Sequence, residues 1–372
     1  MKKPNLLRTI LFVSFFSLFL NPAFSQLDDL GKIMAFQEDA QTLMKSYISP
    51  YTNALGTDLS SGWYNTAKPH STLGFDLTFT LNTTFVPNTD KTFMPSNLDL
   101  QSVEPADPNA TSPTAMGENS TGALMEYNIA DPLNPGQDIT LASFELPKGT
   151  GISFAPAPML QLGFGLPKGT EIIGRYTPTM KLGSQAKIGL WGVGVKHSIK
   201  QWIPALNKLP VLHLSVMGGY TQLSSTTGLN FMPTDYGPTV DYVDPAIPDG
   251  YFNNQEMNLS ISSFTANLLV SANLPVVCFY GGLGFNMSKT ELKLAGNYPV
   301  PTYNTTENRS EITESSSVTD PINMEIKHKD GSTTNPRYNI GMRFKFAVIT
   351  LHFDYTYANY SVFTTGLGLS IR

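Results

Sequence analysis

The sequence predicts an all-β fold: a transmembrane antiparallel β-barrel of about 10–14 strands with a short N-terminal helical segment. Three observations carry this. Charged residues make up only 14% of the chain, against roughly 25% in soluble domains. Beyond residue 20 no apolar run reaches the roughly 18 residues that a membrane-spanning helix needs. Long stretches, clearest near the C-terminus, alternate apolar and polar residues with a period of two, as a wall between lipid and lumen requires.

Residues 1–25 have the pattern of a cleaved export signal. Lys2, Lys3 and Arg8 precede an apolar run from Ile10 to Leu20, too short to anchor a helix, and Ala23-Phe24-Ser25 sets cleavage before Gln26. No cysteine follows the run, so a lipoprotein anchor is excluded. In residues 26–70, Leu27, Leu30, Ile33, Met34, Leu43, Met44 and Tyr47 recur near helical spacing. Pro50 is expected to end that helix, leaving 51–70, with Gly56, Gly62 and Pro69, irregular. The segment is too polar to span a bilayer and fits either a plug in the barrel mouth or a periplasmic cap.

From Leu73 onward the period becomes two. In Phe75-Asp76-Leu77-Thr78-Phe79-Thr80-Leu81-Asn82 one face is apolar and the other polar. Further strands are expected near 157–166, 170–180, 186–198, 209–224, 257–271 and 276–293. Met342, Phe344 and Phe346 alternate with Arg343 and Lys345; Leu351, Phe353, Tyr355 and Tyr357 alternate with His352, Asp354 and Thr356; Phe363, Leu367, Leu369 and Ile371 complete the series. Tight links at 166–170, 272–275 and Ala347-Val348 contrast with long polar ones near 87–156, 225–256 and 294–336. That asymmetry separates periplasmic turns from extracellular loops. An even strand count then implies that both termini are periplasmic, and a hairpin near Ile139–Leu146 would raise the count to twelve. A secreted β-sandwich also alternates, but it explains neither the loop asymmetry nor the aromatic strand ends.

Little in the sequence carries chemistry. The single cysteine, Cys278, rules out an intramolecular disulfide and a cysteine-based zinc site. His213 and Ser215 share a strand face without an identifiable carboxylate partner, so two polar lumen residues suffice to explain them. Arg343, Lys345, His352 and Asp354 share the inner face of two neighbouring strands and are expected to form a lumen polar cluster, since charges in a narrow barrel must pair. No G-x-S-x-G, H-E-x-x-H or phosphate-binding glycine loop is present, and no catalytic, cofactor-binding or metal-ligating residue is assigned. From Pro87 to Asp138 eight acidic residues face Lys91 alone, without the ordered spacing of a calcium loop. The net charge of -5 gives no sign of a nucleic-acid partner.

The last strand, Tyr360 to Arg372, resembles the terminal insertion strand of Gram-negative outer-membrane proteins, although it ends Ile371-Arg372 rather than in an aromatic residue. The blocks Gly62-Trp-Tyr-Asn-Thr-Ala-Lys-Pro-His70, Gly165-Leu-Pro-Lys-Gly-Thr170 and Gly194-Val-Lys-His-Ser-Ile-Lys-Gln-Trp-Ile-Pro204 resemble an uncharacterised family of outer-membrane β-barrels. The plan of an N-terminal segment before a barrel is remotely similar in architecture to FadL-type channels for hydrophobic compounds. These resemblances imply residence in the outer membrane and insertion by the barrel-insertion machinery through Tyr360–Arg372. Contact with outer-membrane lipid and lipopolysaccharide follows. The expected function is passage of small molecules, hydrophobic ones included, across the outer membrane. The alternative is a structural or surface-interaction barrel with a filled lumen and acidic partner-binding loops. A membrane-embedded hydrolase is the least favoured reading, and the chain is read as not being an enzyme.

Overall fold

In a computed structural model, residues 33–371 are described except for 132–133, 135, 183–185, 237–240, 243–247, 249, 304–311 and 328–333. The expected export signal and its cleavage point lie outside the described residues, as does Arg372. The period-two stretches form ten long strands: β1 (Phe75–Phe85), β2 (Phe154–Leu166), β3 (Thr170–Leu182), β4 (Ala186–Ser198), β5 (Leu212–Leu229), β6 (Gln255–Asn273), β7 (Val277–Ala295), β8 (Thr334–Phe346), β9 (Ile349–Tyr357) and β10 (Ser361–Ile371). Each pairs antiparallel with its neighbours in sequence. The ring closes between β1 and β10, in a register running from Phe75↔Ile371 to Phe85↔Ser361. Closure leaves no barrel strand at an edge, which is what a sheet in lipid requires.

Alternation fixes which side of each strand meets lipid. Phe75, Leu77 and Phe79 of β1 are exposed, while Asp76, Thr78, Thr80, Asn82 and Thr84 are buried. The same holds for Phe363, Leu367, Leu369 and Ile371 of β10 against Thr364 and Ser370. A belt of this kind, repeated around the ring, calls for a hydrocarbon solvent.

Three strands are too long for the bilayer alone. β5, β6 and β7 have 18, 19 and 19 residues, where about 9–11 suffice to cross. In their upper halves the pattern inverts. Glu256, Asn258, Ser260 and Ser262 of β6, and Lys289, Glu291 and Lys293 of β7, face outward, while Met257, Leu259, Ile261, Leu292 and Leu294 are buried inside. A polar outside and an apolar inside mark a wall in water. The barrel therefore rises above its apolar belt on this side, by about eight residues per strand.

The long connections fold around that protruding rim. Ile322–Ile326 pairs with the upper part of β7. Leu124–Ala130 and Asp138–Glu145 do form a hairpin, but it pairs only with Glu104–Pro105 and not with the barrel wall. The ring therefore has ten strands, not twelve.

The long helix of this segment among the described residues is α1 (Gln37–Ser60), which continues past Pro50. Losing one intrahelical bond at a proline costs about 3 kcal/mol. Burial of the following turns against the wall, with Ala54, Leu55 and Leu59 in the main apolar core, offsets this. The start of the helix lies among the long connections. Asp39 accepts the N–H groups of Gln101, Ser102 and Val103 at 2.7, 2.7 and 3.0 Å. Ile33, Ala40 and Leu43 pack on Val103, Met125 and Phe144. From there α1 descends into the barrel. β1 starts and β10 ends at the end with the tight turns, the one the sequence assigns to the periplasm, whereas the described chain begins at the opposite end, with the long connections that the sequence assigns to the outside.

This orientation predicts that the variant E38C, at an exposed position of the first helical turn, reacts with a membrane-impermeant maleimide on intact cells. The buried Cys278 should leave the parent chain unlabelled. Labelling of E38C only after the outer membrane is opened would refute the orientation.

Candidate functional site

A helix that ends inside a closed barrel leaves its last four carbonyls without helical partners, and here the wall supplies most of them. The Thr57 carbonyl accepts the hydroxyls of Ser60 and Ser61 at 2.8 and 2.9 Å. The Asp58 carbonyl accepts Asn82 Nδ2 at 2.7 Å. The Leu59 carbonyl takes Arg175 Nη1 at 3.0 Å and Thr221 Oγ1 at 3.1 Å. Arg337 Nη1 donates to the Ser60 carbonyl. Two guanidinium groups thus sit at the negative end of the helix dipole. Gly62 follows the helix at φ +70, the left-handed conformation that lets the chain turn away.

Arg175 joins this cap to the next residues. Its Nη2 donates to the Ser61 carbonyl at 2.7 Å, its Nε to Gln161 Oε1 at 3.0 Å, and its guanidinium lies 3.7 Å from the ring centroid of Trp63. The indole, 1% exposed, lies against Gly194 of β4 and Gly219 of β5. A Cβ at either glycine would come within 2.8 or 2.7 Å of ring atoms, so only glycine admits this contact.

Below Trp63 the segment remains bonded to the wall. Gln161 Nε2 donates to the Trp63 carbonyl at 3.2 Å, and the Ala67 N–H donates to Ser271 Oγ at 3.1 Å. Ser215 donates its hydroxyl to the Ala67 carbonyl. At the tight-turn end of the barrel His70 meets Glu171, its backbone N–H and its Nδ1 each 2.9 Å from Oε2, and Lys196 holds Oε1 at 3.0 Å.

The expected lumen cluster is divided among different neighbours. Arg343, His352 and Asp354 are buried, and Lys345 is half-buried near the periplasmic end of β8. Arg343 lies opposite His352 in register but donates to Asn65 Oδ1 of the lumen segment at 2.9 Å. Asp354 accepts the Tyr280 hydroxyl at 2.9 Å and Asn339 Nδ2 at 2.8 Å. The His352 ring lies over Gly366, and Thr78 and Thr350 close over Gly368. The space beside these small residues of β10 is therefore filled by side chains of the adjoining strands. His213 is half-buried at the start of β5, and Ser215 is engaged by the lumen segment.

Sequence reading missed Arg175, Arg337, Glu171 and Lys196, the charges that hold the lumen segment. A signal was available: each is a charged residue at an inward position of an alternating strand, in a charge-poor chain. The three sequence blocks that carry the family resemblance also meet in space. Gly62–His70 lines the lower lumen, Gly165 abuts the carbonyls of His70 and Ser71, and Gly194 supports Trp63.

Comparison with known proteins gives one family match and distant structural likenesses. The family described as "Family of unknown function" (DUF6588) matches residues 1–371. No curated protein matches. Among solved structures, the translocator domain of autotransporter NalP from Neisseria meningitidis is 9% identical, with 87% of this chain and 96% of that chain covered and a TM-score of 0.30. The outer-membrane protease OmpT from Escherichia coli is 8% identical, with 80% and 95% covered and a TM-score of 0.28. The toluene transporter TbuX from Ralstonia pickettii is 8% identical, with 80% and 89% covered and a TM-score of 0.22. At such distances none of their activities transfers to this chain.

Removing the stacked indole with W63A should cost about 3–5 kcal/mol of unfolding free energy. R175A should cost about as much, because it removes charge-assisted hydrogen bonds to the Leu59 and Ser61 carbonyls and to Gln161 Oε1 and opens a cavity beside the Trp63 ring. R175K should recover little, since an ammonium cannot reproduce the planar fork. Urea unfolding of detergent-refolded protein, followed by tryptophan fluorescence for R175A and R175K and by circular dichroism for W63A, measures this. Wild-type stability in R175A would show that the cap is dispensable.

Proposed function

The chain belongs to the family of unknown function DUF6588, and we propose that it is a closed outer-membrane barrel acting at the cell surface, where its folded extracellular connections bind a partner. One observation carries this reading: the lumen is occupied along its length. Residues 61–70 act as the plug of the lower, polar half through hydrogen bonds to β2, β3, β5, β6 and β8. In the upper half α1 contributes Ala54, Leu55 and Leu59 to a dry core with Met159, Leu223, Ile261 and Leu292 of the wall. A passive pore needs a continuous aqueous path, and this packing opposes one.

The architecture above the membrane supports a binding role. β5–β7 extend past the apolar belt, and Tyr298, Val300, Ile322 and Met324 from the 296–333 connection pack into the same core. That anchoring fixes the described parts of this connection around Tyr298, Val300, Ile322 and Met324, the preorganisation a binding surface needs. The acidic bias of 87–138, eight carboxylates against Lys91, favours a partner that presents positive charge, including divalent cations bridging to lipopolysaccharide. Insertion into the membrane proceeds through the β10 strand, the last to close the ring. Passage of small molecules, the function first expected from the sequence, would require the end of α1 and residues 61–70 to leave the lumen.

Planar-bilayer recording separates these readings. The full mature chain should give no stepwise conductance, and R175A, with its plug loosened, should give channel openings at elevated voltage. Defined single-channel currents or solute uptake by the unmodified protein would overturn the closed-barrel reading. Protease trimming of the 86–153 connection on intact cells should in turn remove partner binding while the barrel remains folded.

A further inference from the structure

We propose that His70, Asp76 and Glu171 form a binding site for a single divalent transition-metal ion of the zinc class at the periplasmic mouth of the barrel. The three residues come from separate parts of the chain: the end of the lumen segment, β1 and β3. One ligand atom from each lies within 4.8 Å of the others, and all three residues are buried.

The orientation of the groups is that of metal ligands with outer partners. His70 Nδ1 faces Glu171 Oε2 at 2.9 Å, while His70 Nε2 lies 3.3 Å from Ser370 Oγ. Glu171 Oε1 is held by Lys196 at 3.0 Å. Asp76 Oδ2 accepts the Thr78 hydroxyl at 3.3 Å. Each ligand thus has an atom fixed by a neighbour, and Glu171 Oε2 also accepts the His70 backbone N–H at 2.9 Å, an arrangement in which outer hydrogen bonds orient ligating imidazoles and carboxylates. Asp76 Oδ1 has no hydrogen-bond partner among the described residues, although Asp76 is only 6% exposed. It lies over Gly163 of β2 together with Glu171 Oε1, in a cradle that a Cβ at that glycine would fill.

Donor chemistry agrees. Two buried carboxylates share the cluster; Lys196 pairs with Glu171, and the Arg343 guanidinium lies within electrostatic reach of both carboxylates. A buried oxygen without a partner is costly, and a metal ion would satisfy it. One imidazole nitrogen with carboxylate oxygens suits zinc and its neighbours. At ligand distances of about 2.0–2.2 Å, nitrogen and oxygen atoms on one ion sit roughly 3 Å apart, close to the His70–Glu171 separation. The bound ion would replace the hydrogen bond between them. It would fasten the end of the lumen segment to β1 and β3. The exposed Ser71 and Thr72 beside His70 leave the site within reach of the periplasm.

The test uses the untagged mature chain, refolded in detergent and stripped with a chelator. Zn²⁺ is titrated by calorimetry, and Co²⁺ is then added to read the d–d absorption that reports imidazole and carboxylate coordination. One ion per chain is expected, with affinity at least tenfold weaker in D76N and in H70Q. Heat-modifiable migration on gels checks that each variant is folded, and H70Q carries the comparison where D76N does not fold. Absence of stoichiometric binding would overturn the proposal and leave the cluster as a hydrogen-bonded ion pair. Binding that D76N and H70Q leave unchanged would overturn it equally, placing the ion elsewhere.

Discussion

The structure depends on what happens where α1 ends. A helix terminus inside a closed barrel has no bulk water to accept from, and its carbonyls carry the negative end of the dipole. Arg175 meets both demands at once, bonding to Leu59 and Ser61 and covering the Trp63 indole. Arg337, Asn82 and Thr221 complete the cap from three other strands. The wall and the segment therefore specify one another: each inward polar residue of the lower barrel is buried because the segment is there, and the segment keeps its path because those residues bind its backbone.

Two solvents divide the lumen into two halves. Below the helix end the contacts are polar and directional, built from guanidinium, amide and hydroxyl groups. Above it they are apolar, and the outward face of β5–β7 turns polar at the same level, between Ser262 and Phe264 on β6 and between Met287 and Lys289 on β7. The inversion follows from the surroundings. In lipid the outside of a barrel must be apolar, leaving the interior to the polar groups; above lipid the ordinary rule of an apolar inside and a wet outside returns. The same ten strands are thus a membrane barrel at one end and a water-soluble β-structure at the other.

Much of the wall was legible in the sequence, because alternation over nine or more residues is a strong local signal, and ten strands were readable with their order along the chain. The ends of β5 and β6 were harder to read. The apolar–polar period runs on unchanged through the inversion, so alternation alone does not say which face looks inward. The course of α1 was not legible for a different reason. Pro50 is a local signal to stop, and it was overridden by burial of Ala54, Leu55 and Leu59 against residues more than a hundred positions away. The cluster of Arg343, Lys345, His352 and Asp354 was visible as shared inward positions. Its partners were not, since Asn65 meets Arg343 only because the segment runs through the lumen, and Tyr280 of β7 reaches Asp354 across Gly341 of β8. Arg175 and Arg337 were visible only as lone charges in alternating strands, their meaning hidden until the helix end was placed between them.

A filled lumen also constrains where chemistry can occur. Mid-barrel groups such as Asp354 and Arg337 are enclosed by the wall and the segment, so a solute from either side meets them only if the packing around Trp63 opens. The two rims are different. At the outer rim the connections, pinned by Tyr298 and Ile322, present surface without disturbing the interior. At the periplasmic rim the lumen segment ends in His70, and its exit from the barrel is fixed by Glu171, Lys196 and Ser370. Force applied to the segment from outside would have to pass through the Arg175 cap before it reached that clasp. Force applied from the periplasm would meet the clasp first. On the closed-barrel reading proposed above, two fastenings of different chemistry act in series, and the one at the tight-turn end is the one a small solute can reach without unpacking the lumen.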